Sequence, residues 1–76
     1  MPITDLRNGE SGIIKSVDSG WGFKRRIMDM GLTPGTKVTV IRSAPFHGPV
    51  EVDVRGSKLA LGRGMAEKIF VEKNDG

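Results

Sequence analysis

Cysteine is absent from the 76 residues, which excludes disulfide staples, thiolate metal sites and a cysteine nucleophile together. A domain this small without staples is expected inside the cell, in the cytoplasm. Tyrosine is absent too, and one tryptophan with three phenylalanines is a poor stock for the stacking platforms that bind single-stranded nucleic acid. Only one histidine, His47, is present, so the residues that acid–base and nucleophilic catalysis draw on are nearly missing. None of the eleven glycines falls in a Walker-type phosphate loop. No stretch approaches the ~20 apolar residues of a membrane span. The opening Met1-Pro2-Ile3-Thr4-Asp5 lacks the basic and apolar regions of a signal peptide, so neither export nor insertion is expected. The absences together favour a binding protein over an enzyme.

What is present suits one folded unit. Apolar residues make up 37% and charged residues 28% of the chain, in the range of globular domains and not of disordered ones. Residues 1–76 are expected to form a single domain with one thin core, residues 73–76 being a flexible tail. The net charge of +3 and isoelectric point near 9.7 mildly favour an anionic partner. Much of the excess sits in Lys24-Arg25-Arg26.

Glycines punctuate the chain. Ile13-Ile14-Lys15-Ser16-Val17 reads as a first strand ending at Asp18-Ser19-Gly20, its register left ambiguous by the adjacent isoleucines. From Gly22 to Met30, Phe23, Ile27 and Met30 fall at i, i+4 and i+7, which predicts a short amphipathic helix with those residues in the core. Gly31 stands where a left-handed residue would stop the helix, with Leu32 as the apolar residue that packs back on it. Thr33-Pro34-Gly35 then turns the chain. Beyond it apolar residues alternate with period two at Val38 and Val40, at Val50, Val52 and Val54, at Leu59 and Leu61, and at Ile69 and Val71, predicting four more strands. The last connection, Gly62-Arg63-Gly64-Met65-Ala66, has room for one helical turn. Five short strands with tight connections predict a small closed barrel that hides its strand edges.

The order of signals resembles the ferrous iron transport protein A family, FeoA, from about Leu6 to Val71. It rests on Leu6-Arg7-Asn8-Gly9 with Gly12-Ile13-Ile14, on Arg26-Ile27-Met28-Asp29-Met30-Gly31-Leu32-Thr33-Pro34-Gly35, on Ala44-Pro45 with Pro49-Val50-Glu51-Val52, and on Val54-Arg55-Gly56 with Leu59-Ala60-Leu61 and Ala66. The loop Pro45-Phe46-His47-Gly48-Pro49 departs from the Pro-x-Gly-Asp-Pro pattern of that family, and Gly62-Arg63-Gly64-Met65 departs from its more helical, charged segment. The resemblance implies a mainly β, SH3-like barrel of about five strands with one short inserted helix. It implies support of Fe(II) uptake by a cytoplasmic domain that binds the intracellular part of the FeoB transporter. The other reading is a regulatory SH3-like module acting on an iron-dependent transcription repressor. The resemblance links the chain to transition metals without supplying a ligand set, and self-association stays open.

Candidate contact residues follow from chemistry. Lys24 and Arg25 lie off the apolar stripe, so they either dock an acidic patch or phosphates, or form a solvated helix face. Trp21, flanked by Gly20 and Gly22, either anchors a partner or caps the barrel. Phe46, at a loop tip with little core to enter, is expected to make a contact. Arg26 matches a usually basic family position, where it would brace the helix. Glu51 and Asp53 share a strand face and read as solvated; with His47 as a third ligand they would be a thin metal set. No catalytic, cofactor-binding or metal-binding residue is assigned, and no cofactor is expected. Trp21, Lys24, Arg25 and Phe46 are the expected partner-binding residues.

Overall fold

In a computed structural model, which describes residues 1–18 and 20–74, a 3-10 turn at Ile3–Asp5 leads into β1 (Ser11–Val17), α1 (Trp21–Asp29), β2 (Lys37–Ser43), β3 (Val50–Val54), β4 (Ser57–Leu61), α2 (Arg63–Ala66) and β5 (Ile69–Asn74). The strands form one antiparallel sheet in the order β4-β3-β2-β1-β5. The mainly β architecture with a helix between its first and second strands is therefore present, and α2 occupies the segment where one helical turn was expected. The closed cylinder is corrected: among the described residues β4 and β5 form no ladder with each other, because the chain crosses between them through α2. The outer side of β5 is partly covered instead. Pro2 bridges Phe70, and the Met1 carbonyl accepts the Val71 N–H at 2.7 Å.

The alternating valines do what their period requires. Val38, Val40, Val50, Val52 and Val54 are buried with Ile14, Ile27, Leu32, Leu61, Ile69 and Val71 in one core, each contributing roughly 1.5–3 kcal/mol by leaving water. The adjacent isoleucines of β1 are resolved by a bulge. Ile14 pairs with Val71 and Ser16 with Phe70, so Lys15 is the extra residue and Val17 returns to the core three positions after Ile14. A second irregularity, between Val40 and Arg42 of β2, turns Ile41 outward. Gly12 is required by contact, since a Cβ there would lie 2.9 Å from the Val71 Cβ.

α1 begins at Trp21, one residue before the expected start, and stops as its sequence predicts. Gly31 has φ +89°, its N–H donates to the Met28 carbonyl at 2.9 Å, and the Leu32 N–H reaches back to the Ile27 carbonyl at 3.3 Å. This is the Schellman arrangement with its buried apolar residue in place. Ile27 is fully buried, while Phe23 and Met30 are half-buried against the core, and the Lys68 ammonium lies 5.2 Å from the Phe23 ring centroid.

The N-terminal region adds to the core, and the C-terminal region departs from the expected tail. Ile3 and Leu6 join the core although the short segment carrying them has no period to betray it. Lys73 and Asn74, placed in the expected tail, instead pair with Gly12 and Ser11; the remainder of that tail, residues 75 and 76, lies outside the described residues, as does Ser19 of the first turn.

Candidate functional site

The helix that closes on the core through Phe23 and Ile27 presents a second stripe to solvent. Trp21, Lys24, Arg25 and Met28 are spaced i, i+3, i+4 and i+7, an arc of about 100° on the side away from the core. Trp21 is 76% exposed and Met28 45% exposed. Exposure decides the question left open for Trp21: its ring does not cap the barrel. The stripe thus alternates two bulky apolar groups with two cations. Beside it runs a mostly apolar groove of about 210 Å3 lined by Lys15, Ser16, Val17, Lys24, Met28 and Pro34. Lys15, on its β1 rim, is paired with Glu72 at 3.3 Å, whereas Lys24 and Arg25 have no ion-pair partner among the described residues. Arg26 is exposed and likewise has no ion-pair partner among the described residues.

Phe46 stands elsewhere. It sits in the β2–β3 connection, on a different element from the α1 stripe. Phe46 and His47 have φ of +58° and +59°, and the Gly48 N–H donates to the Pro45 carbonyl across them at 3.1 Å. Left-handed residues at both central positions make this a type I′ turn. Asn-Gly is the favoured pair there, and a side chain with a branched ring costs roughly 1 kcal/mol more at such a position. Gly48 is needed because a Cβ would come within 2.7 Å of the Ala44 Cβ. The tip holds the Phe46 ring 97% exposed. Arg63 of α2 braces the base, its guanidinium donating to the carbonyls of Gly48 and Ala44, each at 3.3 Å.

The acidic residues weighed as metal ligands are occupied otherwise. Glu51 accepts from Arg42 Nε at 2.8 Å, and Asp53 accepts the Gly56 N–H at 3.0 Å in the β3–β4 turn. His47 is at the opposite end of β3 from Asp53. Glu10 holds a structural corner: the Lys73 ammonium at 2.6 Å and the Arg7 N–H at 2.7 Å keep its carboxyl below the ordinary range, the lysine contact being the larger cause.

The structure brings Trp21, Lys24 and Arg25 together and leaves Phe46 apart. Met28 and Arg63 were not singled out from sequence. Met28 carried a usable signal, standing seven residues after Trp21; Arg63 carried none, because its partners lie 15 and 19 residues away.

Comparison with known proteins agrees with the fold and narrows the identity. The FeoA domain model matches residues 1–73. A candidate Fe(2+) transport protein A of Methanocaldococcus jannaschii is 42% identical over 71 residues, covering 93% of this chain and 84% of its own. A fusion of Fe(2+) transport protein A with the Fe(2+) transporter FeoB, from Porphyromonas gingivalis, is 33% identical over 72 residues, covering 95% of this chain and 8% of the fusion. Among solved structures, an iron uptake regulatory protein, FeoA, superposes with TM-score 0.90 at 32% identity over 97% of both chains. FeoA of Stenotrophomonas maltophilia, described as an SH3 domain protein, shares the fold with TM-score 0.81 at 24% identity over 95% of this chain and 89% of that one. A family model over nearly all of the chain and a relative at this identity leave one assignment: the chain belongs to the FeoA domain family, small SH3-like domains of ferrous iron transport.

Proposed function

We propose that this chain is a cytoplasmic accessory domain of ferrous iron uptake that docks on the intracellular part of an FeoB-type transporter. The observation that carries the reading is the Porphyromonas gingivalis relative, in which a matching domain and FeoB share one polypeptide. Physical linkage of that kind puts two modules at high effective concentration, which suits partners that associate. The solvent stripe of α1 is the surface offered, Trp21 and Met28 giving apolar anchors and Lys24 and Arg25 attraction to an acidic patch. Phe46 gives a second, separate contact at the loop tip. The domain modulates transport by binding and carries no reaction of its own.

Manganese-dependent transcriptional repressors share the fold with TM-score 0.86 at 20% identity. Likeness at that identity concerns the fold alone, so the repressor-module reading gains no support from it. Calorimetric titration of the purified chain against the cytoplasmic part of FeoB tests the docking reading. Lys24→Glu with Arg25→Glu is expected to weaken binding about tenfold or more, each lost charge contact being worth roughly 1 kcal/mol. Unchanged affinity in a folded double variant removes α1 as the surface.

A further inference from the structure

Next to Gly35, at the end of the Thr33–Gly35 turn, lies a polar cleft of about 420 Å3, lined by Gly35, Thr36, Lys37, Thr39, Asp53 and Arg55. We propose that this cleft binds a phosphoryl oxyanion of a short polyphosphate, Arg55 and Lys37 supplying the charge over a floor of Thr36 and Thr39, whose hydroxyls pair with those of Thr33 and Ser11.

The argument begins with a misfit. The β3–β4 hairpin turns through Arg55 and Gly56, whose φ values are +53° and +84°, with Val54 and Ser57 paired on either side. A two-residue loop with positive φ at both positions favours Asn or Asp at the first, where a short side chain tolerates the left-handed region. Arginine there carries strain, and residues kept in such conformations concentrate at binding sites. Its guanidinium turns back over the cleft and donates to Thr36 Oγ1 at 3.4 Å, a long bond. Thr36 is buried, and its hydroxyl also pairs with that of Thr33 at 2.8 Å, so the cleft floor is set by side chains already locked in position.

The charge balance selects an anion. Neither Lys37 nor Arg55 is in an ion pair among the described residues. Asp53 is the one carboxylate of the lining against two cations, which leaves the cleft net positive, and one of its oxygens is turned to the Gly56 N–H. A planar guanidinium beside an ammonium is the pairing that recognises phosphoryl oxygens. The volume lies within the range of about 300–1,000 Å3 typical of small-molecule sites, with room for more than one phosphoryl group.

Titration of the 15N-labelled chain at low salt with orthophosphate, pyrophosphate and ATP, followed by amide shifts, tests the proposal. Pyrophosphate and ATP are expected to move Thr36, Lys37, Thr39 and Arg55, with orthophosphate weaker. ATP binding no tighter than pyrophosphate identifies the phosphoryl groups alone as the ligand; tighter binding adds a contribution from the nucleoside. Arg55→Asn suits the turn better than the native residue, so it is expected to melt no lower while binding about tenfold or more weakly. Lys37→Gln weakens binding as well. Asp53→Asn keeps the oxygen that accepts from Gly56 while removing the charge, and is expected to tighten binding several-fold. Shifts centred on Lys24 and Arg25, binding indifferent to all three substitutions, or no shift at millimolar ligand would each overturn the assignment.

Discussion

Arg63 holds Gly48: its Nε donates to the glycine carbonyl at 3.3 Å, from α2 across to the β2–β3 connection. A second bond from the same guanidinium to the Ala44 carbonyl, also 3.3 Å, fastens both stems of the loop that displays Phe46. Arg63→Ala is expected to lower stability by about 1–2 kcal/mol, the worth of one or two such bonds to a charged donor. Urea denaturation measures this. If Phe46 is a contact residue, the variant also binds FeoB more weakly while its sheet is unchanged.

Replacing Phe46-His47 by Asn-Gly tests the same loop from the opposite side. Both native residues occupy left-handed positions that Asn and Gly take with less strain, so the variant is expected to gain about 1 kcal/mol or more. It removes the exposed ring at the same time. A thermal melt that rises together with a drop in affinity for FeoB separates the two roles; a melt that falls contradicts the strain argument.

On α1 the expected signature is affinity without stability. Trp21→Ala and Met28→Ala remove side chains that are largely or half in water, so their melting temperatures should stay close to that of the wild type. Tryptophan at the centre of an interface is typically worth about 2 kcal/mol or more, which corresponds to at least a thirtyfold loss for Trp21→Ala. Binding to FeoB should also weaken with salt, because the exposed Arg25 and the half-buried Lys24 carry the proposed attraction. Calorimetry at two salt concentrations reads both effects.

Glu10 predicts a pH dependence. Its carboxyl is held below the ordinary value of 4.5 by the Lys73 ammonium first and the Arg7 N–H second. A depressed carboxyl contributes its stability above the ordinary value and loses it as pH falls through the lowered one. Glu10→Gln should therefore be less stable than the wild type at neutral pH, and the difference should shrink below pH 4.5. Denaturation midpoints of both proteins across that range check it.

The barrel was legible where local rules and tertiary demands agree. Val50, Val52 and Val54 alternate because one face of β3 is core, and Gly31-Leu32 ends α1 by a motif complete within six residues. Where the fold breaks a period, the sequence showed only doubled apolar residues, Ile13-Ile14 and Val40-Ile41. Which residue is the extra one is defined by the partner strand and not by its own neighbours. The turn that carries Ile3 packs against α2 and β5, which lie far along the chain. The candidate surface was half legible for the same reason. Trp21, Lys24 and Arg25 share a helix and could be placed by counting, whereas the strain at Phe46 and Arg55 is a backbone property that residue names do not reveal.

The pairing of β1 with β5 has a consequence for synthesis. Ile14 meets Val71, and Ser11 meets Asn74, so the first strand made waits for the last before most of its ladder can form. Sequence-distant contacts of this kind slow folding. On the ribosome the β1–β5 ladder cannot be completed until residue 74 has cleared the exit tunnel, and any polypeptide fused downstream would serve as the tether that gives it time to pair.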